Sequence, residues 1–207
     1  MKYYSEGDTT GNYLVHFDEC GFINENGTAG ISGGFFGGAV TANVTNSSVE
    51  DLEISGNEHI GGLMGVGIIN AKTITLDNIT ATGKVVFSYS GVGGLIGITD
   101  SGSSIDGVTA NKITLYPKGN LAGGITGTMK GNITNVNISN VEIIADKCQS
   151  EVGGIVGELE GTLTNSSVDK ANLYAYSSNG NYGDVGGAVG CAAFTGNNID
   201  NVEVTLL

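Results

Sequence analysis

Short stretches of alternating apolar and polar residues recur along this 207-residue chain. In NITNVNISNVEI at 132–143, a single polar residue separates Val136 from Ile138 and Val141 from Ile143. This period of two predicts half-buried β-strands. No segment sustains the 3.6-residue period of an amphipathic helix, and the 36 glycines disfavour helices further.

A pentapeptide of the form Gly-Gly-apolar-x-Gly recurs six times. Its copies are GGFFG at 33–37, GGLMG at 61–65, GGLIG at 93–97, GGITG at 123–127, GGIVG at 153–157 and GGAVG at 186–190. Successive copies are 28, 32, 30, 30 and 33 residues apart. Such near-constant spacing indicates a structural repeat of about thirty residues.

A block with aligned apolar positions follows each pentapeptide. The first aliphatic column contains Val44, Ile74, Ile105, Ile133, Leu163 and Ile199. The second column, five residues on, contains Val49, Ile79, Ala110, Ile138, Val168 and Val204. The next two contain Leu52, Thr82, Ile113, Val141 and Ala171, and then Ile54, Leu115, Ile143 and Leu173. Two residues past the first column we expect a turn-type or left-handed backbone, at Asn46, Gly107, Asn135, Asn165 and Asn201.

These columns predict an all-β fold, because one thirty-residue unit cannot bury its apolar side unless it stacks on its neighbours. The predicted architecture is a right-handed parallel β-helix, or β-solenoid, with about six coils of 28–33 residues. Residues 33–207 form the six-repeat solenoid, and residues 1–32 are expected to form an N-terminal cap or partial coil. Open strand edges at the two ends predict end-to-end self-association.

The third and fourth positions of the pentapeptide are both apolar, which leaves two arrangements open. If strict strand alternation continues, one set lines the core and the other forms an aliphatic stripe that would serve as a docking surface, including for lateral self-association. If the paired glycines bend the chain, both sets turn inward.

The chain is acidic, with a formal net charge of −13 and no arginine. This charge repels phosphate backbones and anionic lipids, so we expect neither nucleic acid nor a membrane surface as a partner. No apolar run is long enough to insert in a bilayer. Three cysteines, at positions 20, 148 and 191, show no disulfide or metal-binding spacing, and we interpret them as small buried apolar residues. No metal or other cofactor is predicted.

The strings VGGLIGITDSGSSIDGV at 92–108 and VGGIVGELEGTLTNSSV at 152–168 resemble the GLUG-motif repeats of bacterial cell-surface proteins. Such repeats occur in adhesins and beside the catalytic domain of IgA-specific metallopeptidases. The resemblance covers residues 33–207 and implies an extracellular or cell-surface spacer or adhesive module. It does not imply protease activity, because the HExxH zinc motif is missing. The first residues lack an apolar signal segment, so a fragment of a longer protein is expected.

Parallel β-helices also include polysaccharide lyases and glycoside hydrolases, so a carbohydrate-active enzyme is the alternative function. Glu158 and Glu160 could share one strand face about 7 Å apart, a geometry that a glycosidase could use. Alternating exposed glutamates also serve solubility, and we favour that interpretation. The chain shows no catalytic triad and no phosphate-binding loop, and we predict no catalytic residues.

Binding offers a more specific hypothesis. The segments before the pentapeptides vary in length and contain aromatic residues, and variable loops of solenoids commonly lie along one edge. A protein or glycan partner is therefore expected at this edge. The candidate binding residues are Tyr89, Tyr116, Tyr174, Tyr176 and Tyr182. The predicted function is a non-catalytic structural or adhesive module, although these tyrosines could also serve only to pin the loops.

Overall fold

The computed structural model describes residues 2–7, 13–18, 20–23, 32–34, 36–83, 90–119, 121–146, 151–176, 183–193 and 195–206. Over these residues the chain is all-β, and parallel strands stack coil upon coil as a β-solenoid, which confirms the predicted fold class. In this part of the chain, no helix is long and apolar enough to cross a membrane.

Two sheets run along the solenoid, and their strands are numbered in chain order. The 12-stranded sheet contains β1 Lys2–Gly7, β2 Tyr13–Asp18, β3 Cys20–Ile23, β5 Phe36–Gly56, β7 Met64–Gly83, β9 Ile96–Thr99, β10 Ser103–Tyr116, β12 Thr126–Thr134, β13 Asn137–Asp146, β15 Val156–Tyr176, β17 Val189–Ala192 and β18 Asn198–Leu206. The 6-stranded sheet contains β4 Ser32–Gly33, β6 Ile60–Gly61, β8 Gly91–Gly93, β11 Leu121–Gly123, β14 Glu151–Gly153 and β16 Asp184–Gly186.

Each repeat contributes one strand to the smaller sheet, and the solenoid makes about 4 turns. The predicted number of six coils is therefore slightly too high. The prediction counted each of the six repeats as one complete coil. The repeat itself, with one pentapeptide per turn, is as predicted.

Strand register confirms the first aliphatic column in every repeat except the second. Ile105 pairs with Ile133 across neighbouring coils, as predicted. In the second repeat, however, Ala71 stands beside both Val44 and Ile105, where Ile74 was predicted. The prediction was three residues out because the distance from pentapeptide to column varies and the larger aliphatic residue was chosen.

The corrected register also removes Thr82, a polar residue, from the third core column. The other three columns of the second repeat contain Leu76, Ile79 and Ala81, which are all buried. Thr82 pairs instead with Tyr116 and Ser55, at a position outside the core columns. Every described residue of the third and fourth columns is thus apolar.

The coil turns at two left-handed positions per repeat. The first position has φ between 49° and 69°, and it holds Asn46, Thr73, Gly107, Asn135, Asn165 and Asn201. This confirms the predicted left-handed position and adds Thr73, which the register error had hidden. The second position lies five residues on and was not predicted, with φ between 49° and 57° at Asp51, Asn78, Lys112, Asn140 and Lys170.

The backbones of neighbouring coils also come into close contact at the pentapeptide. A Cβ atom added at Gly94 would lie 2.3 Å from the carbonyl oxygen of Gly124, and one added at Gly127 would lie 2.6 Å from that of Gly97. Both distances are far shorter than a carbon atom tolerates. Glycine is required here because it lets neighbouring backbones meet.

Of the two arrangements left open for the pentapeptide, the structure shows the inward one in the second to fifth repeats, which therefore form no docking stripe. The third-position residues Leu63, Leu95, Ile125 and Ile155 are all fully buried, and so are the fourth-position residues Met64, Ile96, Thr126 and Val156. Strand alternation fails here because the chain bends at the glycines. The amides of Leu95 and Ile96 both donate to the Ile125 carbonyl oxygen, at 2.9 and 3.1 Å. Lateral self-association therefore loses the surface on which it was predicted.

The two ends of the stack differ. Strand β1 pairs antiparallel with β2, and β2 and β3 both pair in parallel with β5, so residues before the first repeat cover part of the first coil. At the other end, Val185, Ile199, Val204 and Leu206 are 48%, 48%, 41% and 59% exposed. Their equivalents in the preceding coil, such as Leu163 and Val168, are buried.

Replacement of Ile138 by Asp should unfold the neighbouring coils. Ile138 is 2% exposed within the continuous core, and a carboxylate there would be desolvated without a partner. We expect a loss of several kcal/mol in the free energy of unfolding, measured by urea denaturation. Glu142→Asp, on the outer face of the same strand, is the control and should be nearly silent. A cooperative melt within a few degrees of wild type would contradict the inward assignment.

The exposed C-terminal coil should make this chain self-associate end to end. The expected partner is a second copy, because its C-terminal face presents the same apolar columns and the N-terminal end is partly covered. Sedimentation velocity should show a concentration-dependent dimer, and Ile199→Lys with Val204→Lys should shift it to monomer. A wild-type chain that stays monomeric at millimolar concentration would refute the expectation.

Candidate functional site

Three of the five tyrosines predicted to bind a ligand are exposed at the surface. Tyr116, Tyr174 and Tyr176 are 39%, 51% and 48% exposed. Tyr89 and Tyr182 lie outside the described residues. Tyr116 is the last residue of β10 and Tyr176 is the last residue of β15, so these rings stand where strands leave the larger sheet.

Register brings the three exposed tyrosines onto one surface. Ile144 pairs with Tyr174 in the next coil. Ile143 pairs with Leu115 in the preceding coil, so Tyr116, the residue after Leu115, is the equivalent of Ile144 there. Tyr116 and Tyr174 are therefore two coils apart, or about 9.6 Å. The rings of Tyr174 and Tyr176 stack with centroids 6.5 Å apart and planes 8° from parallel. We call Tyr116, Ile144, Tyr174 and Tyr176 the aromatic column.

Polar groups suited to a hydroxylated ligand flank the aromatic column. The Asn172 side-chain amide donates to the Glu142 carboxylate at 3.3 Å, across neighbouring coils. Stacking rings beside amide and carboxylate groups are a combination that can hold a sugar ring by its face and its hydroxyls.

A second surface lies where the smaller sheet meets the start of the larger one. Here a cavity of about 450 Å³ opens between two columns of side chains. Its apolar walls are Ile98 and Leu121. Its polar lining consists of His59, Thr128, Lys130, Glu158 and Glu160. We call these seven residues the corner groove.

The pentapeptide positions the corner groove. Two residues before each glycine pair stands a column that includes Leu121, Glu151 and Asp184, in register across neighbouring coils. Five residues after the first glycine stands a facing column that includes Thr128 and Glu158. The close packing of the fifth glycine against the smaller sheet brings these two columns together.

Unpartnered polar atoms cluster around the groove. Within the described residues, the buried side-chain atoms without a hydrogen-bond partner are His59 Nδ1, Thr128 Oγ1 and Glu151 Oε2. His59 and Thr128 line the groove, and Glu151 pairs with its wall residue Leu121. Thr128 is only 2% exposed. An unpaired buried hydroxyl costs stability, so this cluster calls for an explanation beyond packing.

The carboxylates of the groove outnumber its cations. The Lys130 ammonium, the one ammonium among the lining residues, forms an ion pair with Glu160 at 3.3 Å. Burial and the neighbouring Glu160 charge raise the pKa of Glu158, and Lys130 opposes this shift. Burial, and then the charges of Glu158 and Asp184, raise the pKa of Glu151 to about 7. The Glu158 end of the groove therefore attracts cations.

The opposite end of the groove is neutral and capable of hydrogen bonding. Burial lowers the pKa of His59, against the opposing charges of Glu58 and Asp100. The imidazole is therefore neutral at pH 7, and one of its nitrogens is an acceptor.

The sequence pointed to Glu158 and Glu160 as one strand face, and both do line the groove. It missed His59, Thr128, Lys130 and Glu151, which come from three different coils. Alignment of the residues that flank each pentapeptide would have found the two columns.

Cys191 was interpreted as buried but is half-buried, because it lies in the last coil. In the described part of the chain, no three His, Cys, Asp or Glu residues are placed to hold a metal ion.

Comparisons with known proteins add no assignment: no family model matches the chain, and no curated protein or solved structure matches it.

Glu151 should make the folded protein less stable as the pH rises. Its pKa is about 7 when folded, against an ordinary value of 4.5, so the folded state binds more protons between these values. The stabilisation is complete below about pH 4.5 and is lost as the pH rises through 7. Glu151→Gln should reduce the difference between urea midpoints measured at pH 5 and pH 8.

Glu53→Gln, at an exposed position of β5, is the matched control for this measurement. It should keep the wild-type difference between the two midpoints. Because other groups titrate over the same range, the quantity to compare is the difference between each variant and wild type. If the urea midpoint of Glu151→Gln depends on pH as the wild-type midpoint does, the raised pKa does not belong to Glu151.

Proposed function

We propose that this chain is a non-catalytic structural and adhesive β-solenoid module of a bacterial surface or secreted protein, and that it binds glycan along the aromatic column. The observation that carries the proposal is the alignment of Tyr116 and Tyr174 in one column, with Tyr176 stacked beside Tyr174. Three rings exposed to solvent on a rigid rod are better suited to an external ligand than to the core.

The rigid scaffold supports the structural half of the proposal. Parallel ladders join every described coil to the next in both sheets, and one continuous core runs through the stack. Solenoids of this kind hold surface residues at fixed spacing along their axis. The resemblance of the repeats to GLUG motifs supports the cell-surface or extracellular location.

A glycan fits the aromatic column better than a protein does. The two-coil spacing between Tyr116 and Tyr174, about 9.6 Å, is close to the length of a disaccharide unit. The flanking groups Asn172 and Glu142 are hydrogen-bonding groups for hydroxyls. A protein partner would need a broader apolar surface than four side chains provide.

Tyrosine fluorescence provides a direct test, because the chain has no tryptophan. Hexasaccharides of β-linked glucose, N-acetylglucosamine and galactose should be titrated separately into the full chain. At least one should change the fluorescence in a saturable way. Tyr174→Ala with Tyr176→Ala should weaken binding by roughly tenfold, since each ring contributes about 0.5–1.5 kcal/mol.

Tyr174→Phe is the matched control, because it keeps the ring and removes only the hydroxyl. It should retain most of the affinity. If the alanine pair binds as tightly as wild type, the aromatic column is not the glycan site. If no glycan binds but a surface protein is captured through the same tyrosines, the ligand is a protein and the glycan proposal is wrong.

A carbohydrate-active enzyme is the second candidate, and the Glu151 carboxyl favours it. A pKa of about 7 would let Glu151 donate a proton at neutral pH, and Glu158 supplies a neighbouring carboxylate. Incubation of the same oligosaccharides with the chain, followed by assay for new reducing or unsaturated ends, separates the candidates. Cleavage that Glu151→Gln abolishes would establish the enzyme.

A further inference from the structure

The two ends of the corner groove differ in chemistry, whereas the aromatic column is alike along its length. His59 belongs to the second repeat, Thr128 to the fourth and Glu158 to the fifth, so the groove runs along the solenoid axis. On the larger sheet, Ile98, Thr128 and Glu158 stand in register in three successive coils, about 4.8 Å apart from one coil to the next. A ligand of the groove is therefore elongated, with different chemistry at its two ends.

The middle of the groove is apolar. Ile98 pairs with Thr128 in the strand register, and Leu121 faces them from the smaller sheet at 4% exposure. These side chains offer packing to methylene groups but no hydrogen bonds. A stem of a few carbon atoms matches this section, because it would exchange water for aliphatic contact.

Carboxylates outnumber cations at the Glu158 end of the groove. Four carboxylates, those of Glu151, Glu158, Glu160 and Asp184, influence one another there. The cation in contact with them is Lys130, which already pairs with Glu160. A ligand that brings a positive charge would relieve this repulsion, and the net charge of −13 would attract it from solution.

The buried Thr128 hydroxyl determines which cation fits. Its Oγ1 atom is buried and unpartnered, and Thr128 lines the groove between the apolar section and Glu158. A primary ammonium has three N–H donors and no acceptor, so it can donate to this hydroxyl and to the carboxylate together. A quaternary ammonium has no N–H group and would leave the hydroxyl unpaired.

We propose that the corner groove binds a primary ammonium group on a short aliphatic stem. The ammonium lies at Thr128 and Glu158, the stem lies on Ile98 and Leu121, and an N–H donor at the far end reaches His59 Nδ1. A lysine side chain with its own backbone amide has this chemistry, and so does a free aliphatic diamine. The shared ligand chemistry is thus a primary alkylammonium with a second donor.

The test is a titration of the isotopically labelled full chain, followed by amide chemical shifts. Two probes represent the two sources: 1,5-diaminopentane for a free amine, and Nα-acetyl-lysine N-methylamide for a peptide lysine. At least one probe should cause saturable shifts centred on residues 96–99, 126–130 and 156–160. Binding of the lysine derivative would identify a peptide partner, and binding of the diamine alone would identify a small molecule.

Matched ligands separate specific binding from charge screening. At equal ionic strength, 1,5-pentanediol lacks the charge and tetramethylammonium lacks the N–H donors, and neither should produce the saturable shifts. If tetramethylammonium produces the same pattern as the diamine, the groove only collects cations, and the proposal is overturned. Absence of saturable shifts with both amine probes would overturn it equally.

Variants locate the binding groups. Glu158→Gln should weaken probe binding at least roughly tenfold, since it removes a charge-assisted hydrogen bond. Thr128→Val keeps the shape of the side chain and should weaken binding by about threefold or more. The control Glu53→Gln, at an exposed position of β5, should bind like wild type. Unchanged affinity in both groove variants, with wild-type melting temperatures, would refute the placement.

Discussion

The close approach of backbones at the glycine corner is the constraint on which the rest of the solenoid depends. At the second glycine of the pentapeptide, the amide of Gly94 donates to the Gly124 carbonyl oxygen at 3.2 Å, and a side chain on Gly94 would occupy the space of that oxygen. Coils that meet this closely can superpose in only one register. The aliphatic columns, the polar corners and the groove all follow from that register.

Superposition in register also explains the surface of the rod. At the left-handed corners, the Asn201 amide donates to Asn165 Oδ1 at 2.8 Å, and the Asn135 amide donates to Asp106 Oδ1 at 2.8 Å. Such ladders pair polar side chains between coils where no core exists. Lys112 and Lys170 adopt the same backbone conformation without a residue type that favours it. The stack therefore imposes the corner on them, at a cost that its other contacts offset.

Much of the architecture could be predicted from the sequence because each coil repeats the physical problem of the last one. The glycines, the aliphatic columns and the first left-handed corner recur, and repetition exposes them. The second repeat was misaligned because Ala71 is small, and Ile74, three residues on, fits the pattern as well. Burial of both Leu95 and Ile96 could not be predicted from alternation, because a bend at the glycines interrupts it.

The corner groove escaped prediction for the opposite reason: its residues do not repeat. In the facing column, Ile98, Thr128 and Glu158 occupy equivalent positions in successive coils, and no two are alike. A column with only a packing role would hold aliphatic residues throughout, as the core columns do. A threonine buried there without a partner lowers stability relative to valine. In a repeat protein, binding chemistry is therefore best sought where equivalent positions differ and where the difference is costly to the fold.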